Sequence, residues 1–541
     1  MCRSPGSRSR GGRDRARWPS RSPCRAGRTV AVPYALALLS GLLLAASFPK
    51  FGHPAFAWTA VAPLIVAVAL GASSARRSRR DFALGWIAGL VYFGGTVYWV
   101  VAVMNTYGGL PVGVAVLVAV LLIAYLALYP ALFALVLGRA VRRMGIAGVW
   151  FAPAVWVASE YARSTVLGGF GWALLGSSQA PVLPVAQAAS VVGVYGLSAL
   201  VALVGTAAAV LALTRQSSHR LATAGVAVGL VGIVAAGAFR VAGGSLTRTG
   251  PVLRAGIVQG GVEQQIKWNP AYRDAIYERH LALTRRVIAS GAHVVFWPES
   301  STPFFFDAEP ALSAPLRQLA AESRTPFIIG TDLFEPGRDG APNRIYNGAL
   351  YLGADGQSRA AYRKMRLVPF GEFVPFSQVL FFVGPLVEAV SDFSAGTEPV
   401  VFDVDGRRLS VAICYESIYP DIAQAFVERG SQLLVTITND AWFGRSSAAW
   451  QHFDQGALRA VEQGRYVVRA ANTGISGVVD PYGRVVHATP LFEQTVAAVD
   501  VRLLDHRTIY SRVGDVALWA SLGLTAGVVV LSRSPRRRRE T

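Results

Sequence analysis

Long apolar runs recur through the first 240 residues of this chain, and one more lies near its end. No other feature constrains the fold as tightly. The runs cover roughly 30–48, 55–72, 82–104, 111–138, 147–162, 183–213, 221–239 and 514–531. A helix needs about 20 apolar residues to cross a bilayer core, so the second and fifth runs are short for that task. In hydrocarbon every backbone polar group must be satisfied within its own segment, which makes helices the expected form. Counting every run gives eight spans.

The charges between the runs test that count. If the leader is cytoplasmic, every loop after an even-numbered span is cytoplasmic too. The loop after span two reads Ala75-Arg76-Arg77-Ser78-Arg79-Arg80. Arg139, Arg142 and Arg143 follow span four, Arg215 and Arg220 follow span six, and the run Arg536 to Arg539 follows span eight. The opposite loops, such as Asn105 to Pro111, are nearly free of Lys and Arg. This is the positive-inside pattern. The same parity places residues 240–512 outside the cytoplasm, with both termini inside.

The net charge of +20 reflects this layout. Residues 240–512 hold 27 basic and 27 acidic residues, so the remaining 25 basic and 5 acidic residues carry the whole excess. A nucleic-acid-binding protein concentrates basic charge on its folded surface, so nucleic acid is not an expected partner. Only 16% of residues are charged, against about a quarter in soluble proteins.

The expected organisation has five parts. Residues 1–28, with nine Arg and one Asp, cannot build a core. They read as a disordered basic cytoplasmic leader or an over-extended start. The apolar run behind them has no convincing cleavage site and reads as an anchor. Residues 29–240 form a membrane domain of about seven helices. Residues 241–512 form a catalytic domain, 513–532 a last transmembrane helix, and 533–541 a basic cytoplasmic tail. Within 241–512 the pattern shifts to short β-type runs alternating with helical stretches, which predicts an α/β layered domain. Strands are expected at Leu253 to Gln259, His293 to Trp297, Phe327 to Gly330, Leu409 to Cys414 and Leu433 to Thr438. Helices are expected at Tyr272 to Ser290, Pro310 to Ser323, Tyr419 to Arg429 and Ala448 to Glu462.

Three polar residues stand at or just past strand ends. Glu299 closes His-Val-Val-Phe-Trp-Pro-Glu, Lys364 follows Ala-Ala-Tyr-Arg, and Cys414 closes Leu-Ser-Val-Ala-Ile-Cys. A thiol becomes a strong nucleophile as thiolate, which a nearby cation favours. A carboxylate can take the thiol proton and return it to a leaving group, and a lysine can stabilise an oxyanion. Cys2 and Cys24 lie in the leader, so a disulfide framework is not expected. His452 is the best partner for a Cys-His pair, but its helical setting between Trp450 and Phe453 argues for packing. No His/Cys cluster has metal-ligand spacing, so neither a metal nor another cofactor is expected.

Glu299, Lys364 and Cys414, in that order and context, resemble the triad of the nitrilase (carbon-nitrogen hydrolase) superfamily. The surrounding segments are similar to those of apolipoprotein N-acyltransferases. These are Tyr362-Arg363-Lys364-Met365-Arg366-Leu367-Val368-Pro369-Phe370-Gly371-Glu372-Phe373-Val374-Pro375, Cys414-Tyr415-Glu416 and Asn439-Asp440-Ala441-Trp442-Phe443-Gly444. In the membrane part, Phe170-Gly171-Trp172-Ala173-Leu174-Leu175-Gly176 and Gly193-Val194-Tyr195-Gly196-Leu197-Ser198 match as well. The similarity spans about residues 30–530.

The resemblance implies an αββα nitrilase-like sandwich standing on a multi-span helical domain in a bacterial cytoplasmic membrane. It implies transfer of an acyl chain from a membrane phospholipid to Cys414 as a thioester. The chain then passes to the amino group of a diacylglyceryl-cysteine at an apolipoprotein N-terminus. Glu299 would act as base and acid, and Lys364 would stabilise the oxyanion. Glu372 and Glu416 would be supporting carboxylates that orient the lysine and the substrate. The bland alternatives are an ion pair between Glu372 and an arginine such as Arg366, and a strand-end hydrogen-bonding role for Glu416.

Exposing apolar surface costs about 25 cal/mol per Å², so two-chain substrates favour a site close to the bilayer. Trp268, Trp442, Phe381 and Phe382 are the candidate lipid contacts, with core or interfacial packing as the alternative. The segment Phe376 to Val390 reads as a mobile arm admitting lipid. Glu160 and Arg163, one turn apart on a short span, read as a functional pair or an interfacial ion pair. A monomer is expected. The rival readings are a membrane-tethered amidase acting on a small C–N substrate, a transporter with an accessory domain, and a binding protein with a dead site.

Overall fold

The computed structural model describes residues 31–50, 52–71, 77–337, 342–369, 371–373 and 393–533. Phe381, Phe382 and the proposed arm lie outside these residues, as do the leader and the tail.

The membrane part is helical. Among the described residues three stretches are long and apolar enough to cross a bilayer: Val112–Gly168, Ala189–Leu213 and Ser217–Thr247. The first is not one straight rod. Its regular helix Val112–Met144 ends at Gly145, and a tighter turn leads into the helix Ala152–Thr165. The third expected span is a helix pair, Ser78–Thr96 and Val100–Thr106, bent by 54°. Ala31–Ala45, Pro54–Leu70 and Val516–Ser532 are apolar helices too short to pass the same length test. Each of the eight expected runs thus contains helix, although three are short and one is broken. The sixth run is divided, with a short helix Leu183–Ala186 ahead of Ala189–Leu213.

The described residues of the second part form two six-stranded sheets. The strands are β1 (Val252–Gln259), β2 (Val294–Phe296), β3 (Phe327–Glu335), β4 (Arg344–Leu352), β5 (Ser358–Arg363), β6 (Val401–Val404), β7 (Arg407–Ile413), β8 (Leu433–Thr438), β9 (Val467–Ala471), β10 (Gly477–Val479), β11 (Val485–Ala488) and β12 (Thr495–Arg502). One sheet runs β12-β1-β2-β3-β4-β5, the other β11-β10-β9-β8-β7-β6. Each has a parallel centre, β1-β2-β3 or β7-β8-β9, with antiparallel strands outside it.

The period-two pattern of β2 explains its two-sided burial. Val294 and Phe296 belong to the large core shared with Val411, Ile413, Val435 and Ile437 of the other sheet. Val295 and Trp297 pack instead with Leu281, Val287 and Leu316 from the helices Arg273–Ala289 and Pro310–Ser323. On the far side the helices Pro420–Glu428 and Ala448–Gln463 cover the second sheet, with Ile422, Phe426 and Phe453 in the shared core. The layers are therefore helix, sheet, sheet, helix.

The two parts meet along the helix Ala448–Gln463. Trp172 Nε1 donates to Gln451 Oε1 at 2.7 Å, the Ala173 amide to Gln455 Oε1 at 2.9 Å, and the Val194 amide to Glu462 Oε1 at 2.8 Å. Glu160 and Arg163 support this junction. Glu160 Oε1 accepts from Trp156 Nε1 at 3.0 Å and from the Leu175 amide at 2.6 Å. Arg163 Nη1 donates to the Phe170 and Trp172 carbonyls at 2.7 and 2.5 Å. Each side chain anchors the loop that meets the sheet-containing part, where the sequence offers a functional pair or an interfacial ion pair.

Candidate active site

The three residues singled out by strand position lie together between the facing sheets. Glu299 follows β2, Lys364 follows β5 and Cys414 follows β7, and all three are buried. β3 passes so close behind Glu299 that a Cβ on Gly330 would lie 2.2 Å from the Pro298 carbonyl oxygen. Only glycine fits there.

Glu299 is held as an acceptor on both carboxylate oxygens. Oε1 receives Lys364 Nζ at 3.1 Å and Asn347 Nδ2 at 2.7 Å, and Oε2 receives the Asn439 amide at 2.8 Å. Burial pushes this carboxyl up, but the Lys364 charge, the Asn347 hydrogen bond and Lys267 outweigh it and hold it below its ordinary value. Burial opposes the charge on Lys364, yet Glu299 and Glu372 raise its pKa well above the usual lysine value. Both groups are ionised at neutral pH.

Cys414 behaves differently. Burial pushes its thiol far up, the Glu299 charge adds to this, and Lys364 offsets only part. The resting cysteine is a neutral thiol beside an ionised base. Attack by this thiol on a carbonyl carbon would need a proton acceptor, which an ionised Glu299 can supply.

Cys414 sits on a strained backbone. Its φ is +50°, a region that costs a non-glycine residue on the order of 1–3 kcal/mol. Two groups hold its carbonyl: Ser417 Oγ donates at 2.8 Å, and His452 Nε2 lies at 3.0 Å. The other ring nitrogen of His452 lies 2.9 Å from Asp440 Oδ1, and Arg469 Nη2 lies 2.7 Å from Asp440 Oδ2. Burial and then Arg469 hold the imidazole pKa below its ordinary value. His452 thus braces the cysteine through the main chain, a role that its packing with Trp172 and Phe443 alone does not convey.

The two further carboxylates singled out in the sequence, Glu372 and Glu416, are also placed. Glu372 Oε1 accepts from Lys364 Nζ at 2.8 Å and from Asn347 Nδ2 at 2.7 Å, while Oε2 caps the Val368 amide at 2.8 Å. The alternative pairing with Arg366 does not form, because Arg366 bridges to Asp421 at 2.6 Å. Glu416 is fully buried and joins two segments. Oε1 accepts from Tyr362 Oη at 2.8 Å and from the Met365 and Arg366 amides at 2.7 and 3.1 Å, and Oε2 accepts from the Ile413 amide at 2.8 Å. It fixes the lysine segment against the cysteine turn.

Of the lipid-contact candidates, Trp268 is 48% exposed. Trp442 is half-buried against Tyr107 of the membrane part, with ring centroids 5.5 Å apart. Two contacts link the neighbourhood of Cys414 to the membrane part. Tyr415 Oη donates to the Gly169 carbonyl at 3.4 Å, and the Gly171 amide donates to Tyr419 Oη at the same distance.

Sequence reasoning missed Asn347 and Lys267. Asn347 was detectable as one amide inside the apolar strand Ile345 to Leu352, since a polar side chain in a buried strand needs partners. Lys267 carried no such signal. Among the described residues no group of three or more His, Cys, Asp or Glu could hold a metal ion.

Residues 40–207 match the family described as Apolipoprotein N-acyltransferase N-terminal domain, and residues 254–509 match Carbon-nitrogen hydrolase. The apolipoprotein N-acyltransferase of Geobacter metallireducens is 39% identical over 505 residues, covering 92% of this chain and 95% of the relative. That of Methylococcus capsulatus is 34% identical, covering 93% and 96%. A solved mutant of the Nesterenkonia AN1 amidase, from the nitrilase superfamily, is 21% identical with a TM-score of 0.37 and covers 50% of this chain and 97% of its own.

Proposed function

This chain belongs to the apolipoprotein N-acyltransferase family, and from that premise we propose how its own residues carry out lipoprotein N-acylation. The acyl donor is a membrane phospholipid, and Cys414 carries the acyl chain between donor and acceptor. As the Cys414 sulfur attacks the ester carbonyl, its proton passes to Glu299 and the carbonyl oxygen becomes an oxyanion beside Lys364. The carbon–oxygen bond then breaks, Glu299 protonates the leaving alkoxide, and a lysophospholipid departs. In the second half, the free amine of a diacylglyceryl-cysteine attacks the thioester. Glu299 takes the amine proton, the thiolate leaves, and the proton returns to the sulfur.

The observation that supports this reading most is the meeting of Glu299, Lys364 and Cys414 in one buried site, with Lys364 Nζ 3.1 Å from Glu299 Oε1. An ionised carboxylate, an ionised lysine and a neutral thiol lie within one buried site. Tyr415 joins that site to the loop at Gly169 of the helical part. A covalent acyl-enzyme predicts ping-pong kinetics. Double-reciprocal plots with phospholipid and lipopeptide varied together are expected to be parallel. Intersecting lines would favour direct transfer in a ternary complex and remove the thioester.

The catalytic domain lies on the extracytoplasmic side, above eight spans, with both termini in the cytoplasm, and the protein acts as a monomer. The arginine distribution supports the topology. Reporter fusions at about residues 78 and 141 and at the C-terminus are expected to report cytoplasm, and one near residue 245 the opposite side. An outside signal at residue 141 contradicts the eight-span arrangement.

A further inference from the structure

Lys267 is a buried cation that the acyl-transfer scheme leaves unused. It ends the short helix Gln264–Lys267 and is 4% exposed. Its Nζ donates to the main-chain carbonyl of Glu299 at 3.0 Å. The next residue, Ser300, has φ of +46°, and its Oγ donates to Asp332 Oδ1 at 2.8 Å. The turn that aims the Glu299 carboxylate is therefore strained and gripped from two sides.

Charge balance gives this placement a purpose. Glu299 and Glu372 converge on one lysine and one amide, since Lys364 Nζ and Asn347 Nδ2 each contact both carboxylates. Two carboxylates sharing one cation in a buried site favour retention of a proton by one of them. A protonated Glu299 cannot act as a base. We propose that Lys267 is a positioning residue for acyl transfer, which pins the turn bearing Glu299 and supplies the second positive charge that keeps this carboxylate ionised.

The surrounding groups fit that role. The charged and titratable groups facing Glu299 are Lys364 after β5, Lys267, Glu372 in the loop beyond Lys364, Asp332 on β3 and Cys414 after β7. Those facing Lys267 are Glu299, Asp332, Cys414 and His280 of the helix Arg273–Ala289. Burial pushes the Lys267 ammonium down to about 8, even with Glu299 and Asp332 raising it. It remains charged at neutral pH. Burial takes His280 down to about 4, so the imidazole is neutral and adds no competing positive charge. The Trp268 ring centroid lies 5.9 Å from Nζ, a distance at which the ring face still favours a cation.

The inference rests on the reading of Glu299 as the base. The test is the pH dependence, from about pH 5 to 9, of single-turnover acylation of Cys414. Phosphatidylethanolamine in detergent micelles is the donor, and acyl mass on the full-length chain is the readout. In the wild-type protein Glu299 is held below its ordinary value, so its acid limb lies at or below the lower end of this range. Lys267→Met keeps the length of the side chain, Lys267→Gln keeps a donor for the Glu299 carbonyl, and Lys267→Arg keeps the charge. Both neutral variants are expected to move the acid limb upward by about one pH unit or more, and Lys267→Arg to restore it. A purely structural role would lower the rate without moving the limb. A wild-type limb in whichever neutral variant folds, or a limb displaced as far by Lys267→Arg, overturns the proposal. Glu299→Gln keeps the two ideas apart: full acylation in that variant contradicts Glu299 as base, whatever the Lys267 variants do.

Discussion

Replacing Cys414 by serine is expected to reduce acyl transfer to background, a loss on the order of 10⁴-fold, while the protein stays folded in the membrane. The size of the effect follows from the resting site. Burial and the Glu299 charge already keep the thiol protonated, and a serine hydroxyl is far harder to ionise than a thiol. The base that suffices for sulfur is too weak for the alcohol. Folding should survive because the side chains are nearly isosteric. Seating a hydroxyl in place of a buried thiol costs about 1–2 kcal/mol, and the main-chain brace from Ser417 and His452 does not involve the sulfur. Transfer within tenfold of wild type in Cys414→Ser would remove Cys414 from the nucleophile role.

Lys364→Met is expected to abolish transfer and also to destabilise the fold, by about 3–5 kcal/mol near neutral pH. Lys364 is 1% exposed and contacts both Glu299 and Glu372. Removing it leaves two buried carboxylates sharing the Asn347 amide, with Lys267 as the cation still acting on Glu299. The sign of the pH dependence follows from the shifts. Glu299 has a folded pKa below its ordinary value, so its stabilising contribution is present above the unfolded value and is lost as pH falls through the folded one. Lys364 is raised, so its contribution is full below the ordinary lysine value and is lost only as pH rises through the raised one. Across about pH 5 to 9 the wild-type cluster is therefore intact. In Lys364→Met the carboxylates prefer to bind a proton, so the variant recovers stability on acidification. The gap in melting temperature between wild type and variant should narrow from pH 7 to pH 5. A gap that widens over that interval contradicts the charge assignment.

Much of the architecture was legible because local signals agree with the packing. The helix Pro310–Ser323 matches its expected limits, with proline at its start and Arg324 in a left-handed conformation at its end. The strand β8 matches too, as an unbroken apolar run buried along its length. The strand β3 was expected to stop at Gly330 but continues to Glu335. Its outer half pairs with β4 up to Glu335↔Arg344, and long-range pairing of that kind overrides the polar residues that suggested an end. The third membrane run gives one hydropathy peak but a bent helix pair, because hydropathy measures composition and not direction.

The site divides the same way. Glu299, Lys364 and Cys414 stand out as polar residues at strand ends. Glu416 stands out less, because its partners include the backbone amides of Ile413, Met365 and Arg366, which no side-chain pattern reveals. The choice between Lys364 and Arg366 as the partner of Glu372 depends on a loop conformation and became clear only in three dimensions. Lys267 and His452 act on main-chain carbonyls of Glu299 and Cys414. Contacts of that kind leave no trace in residue spacing.

The most direct test of acyl transfer through Cys414 is mass spectrometry of the purified full-length protein after mixing with phospholipid in the absence of an acceptor. One acyl chain is expected on the peptide containing Cys414, removable by hydroxylamine and discharged when a diacylglyceryl lipopeptide is added. An acyl adduct on another residue, or N-acylated lipopeptide formed with Cys414 never carrying acyl mass, would contradict the account.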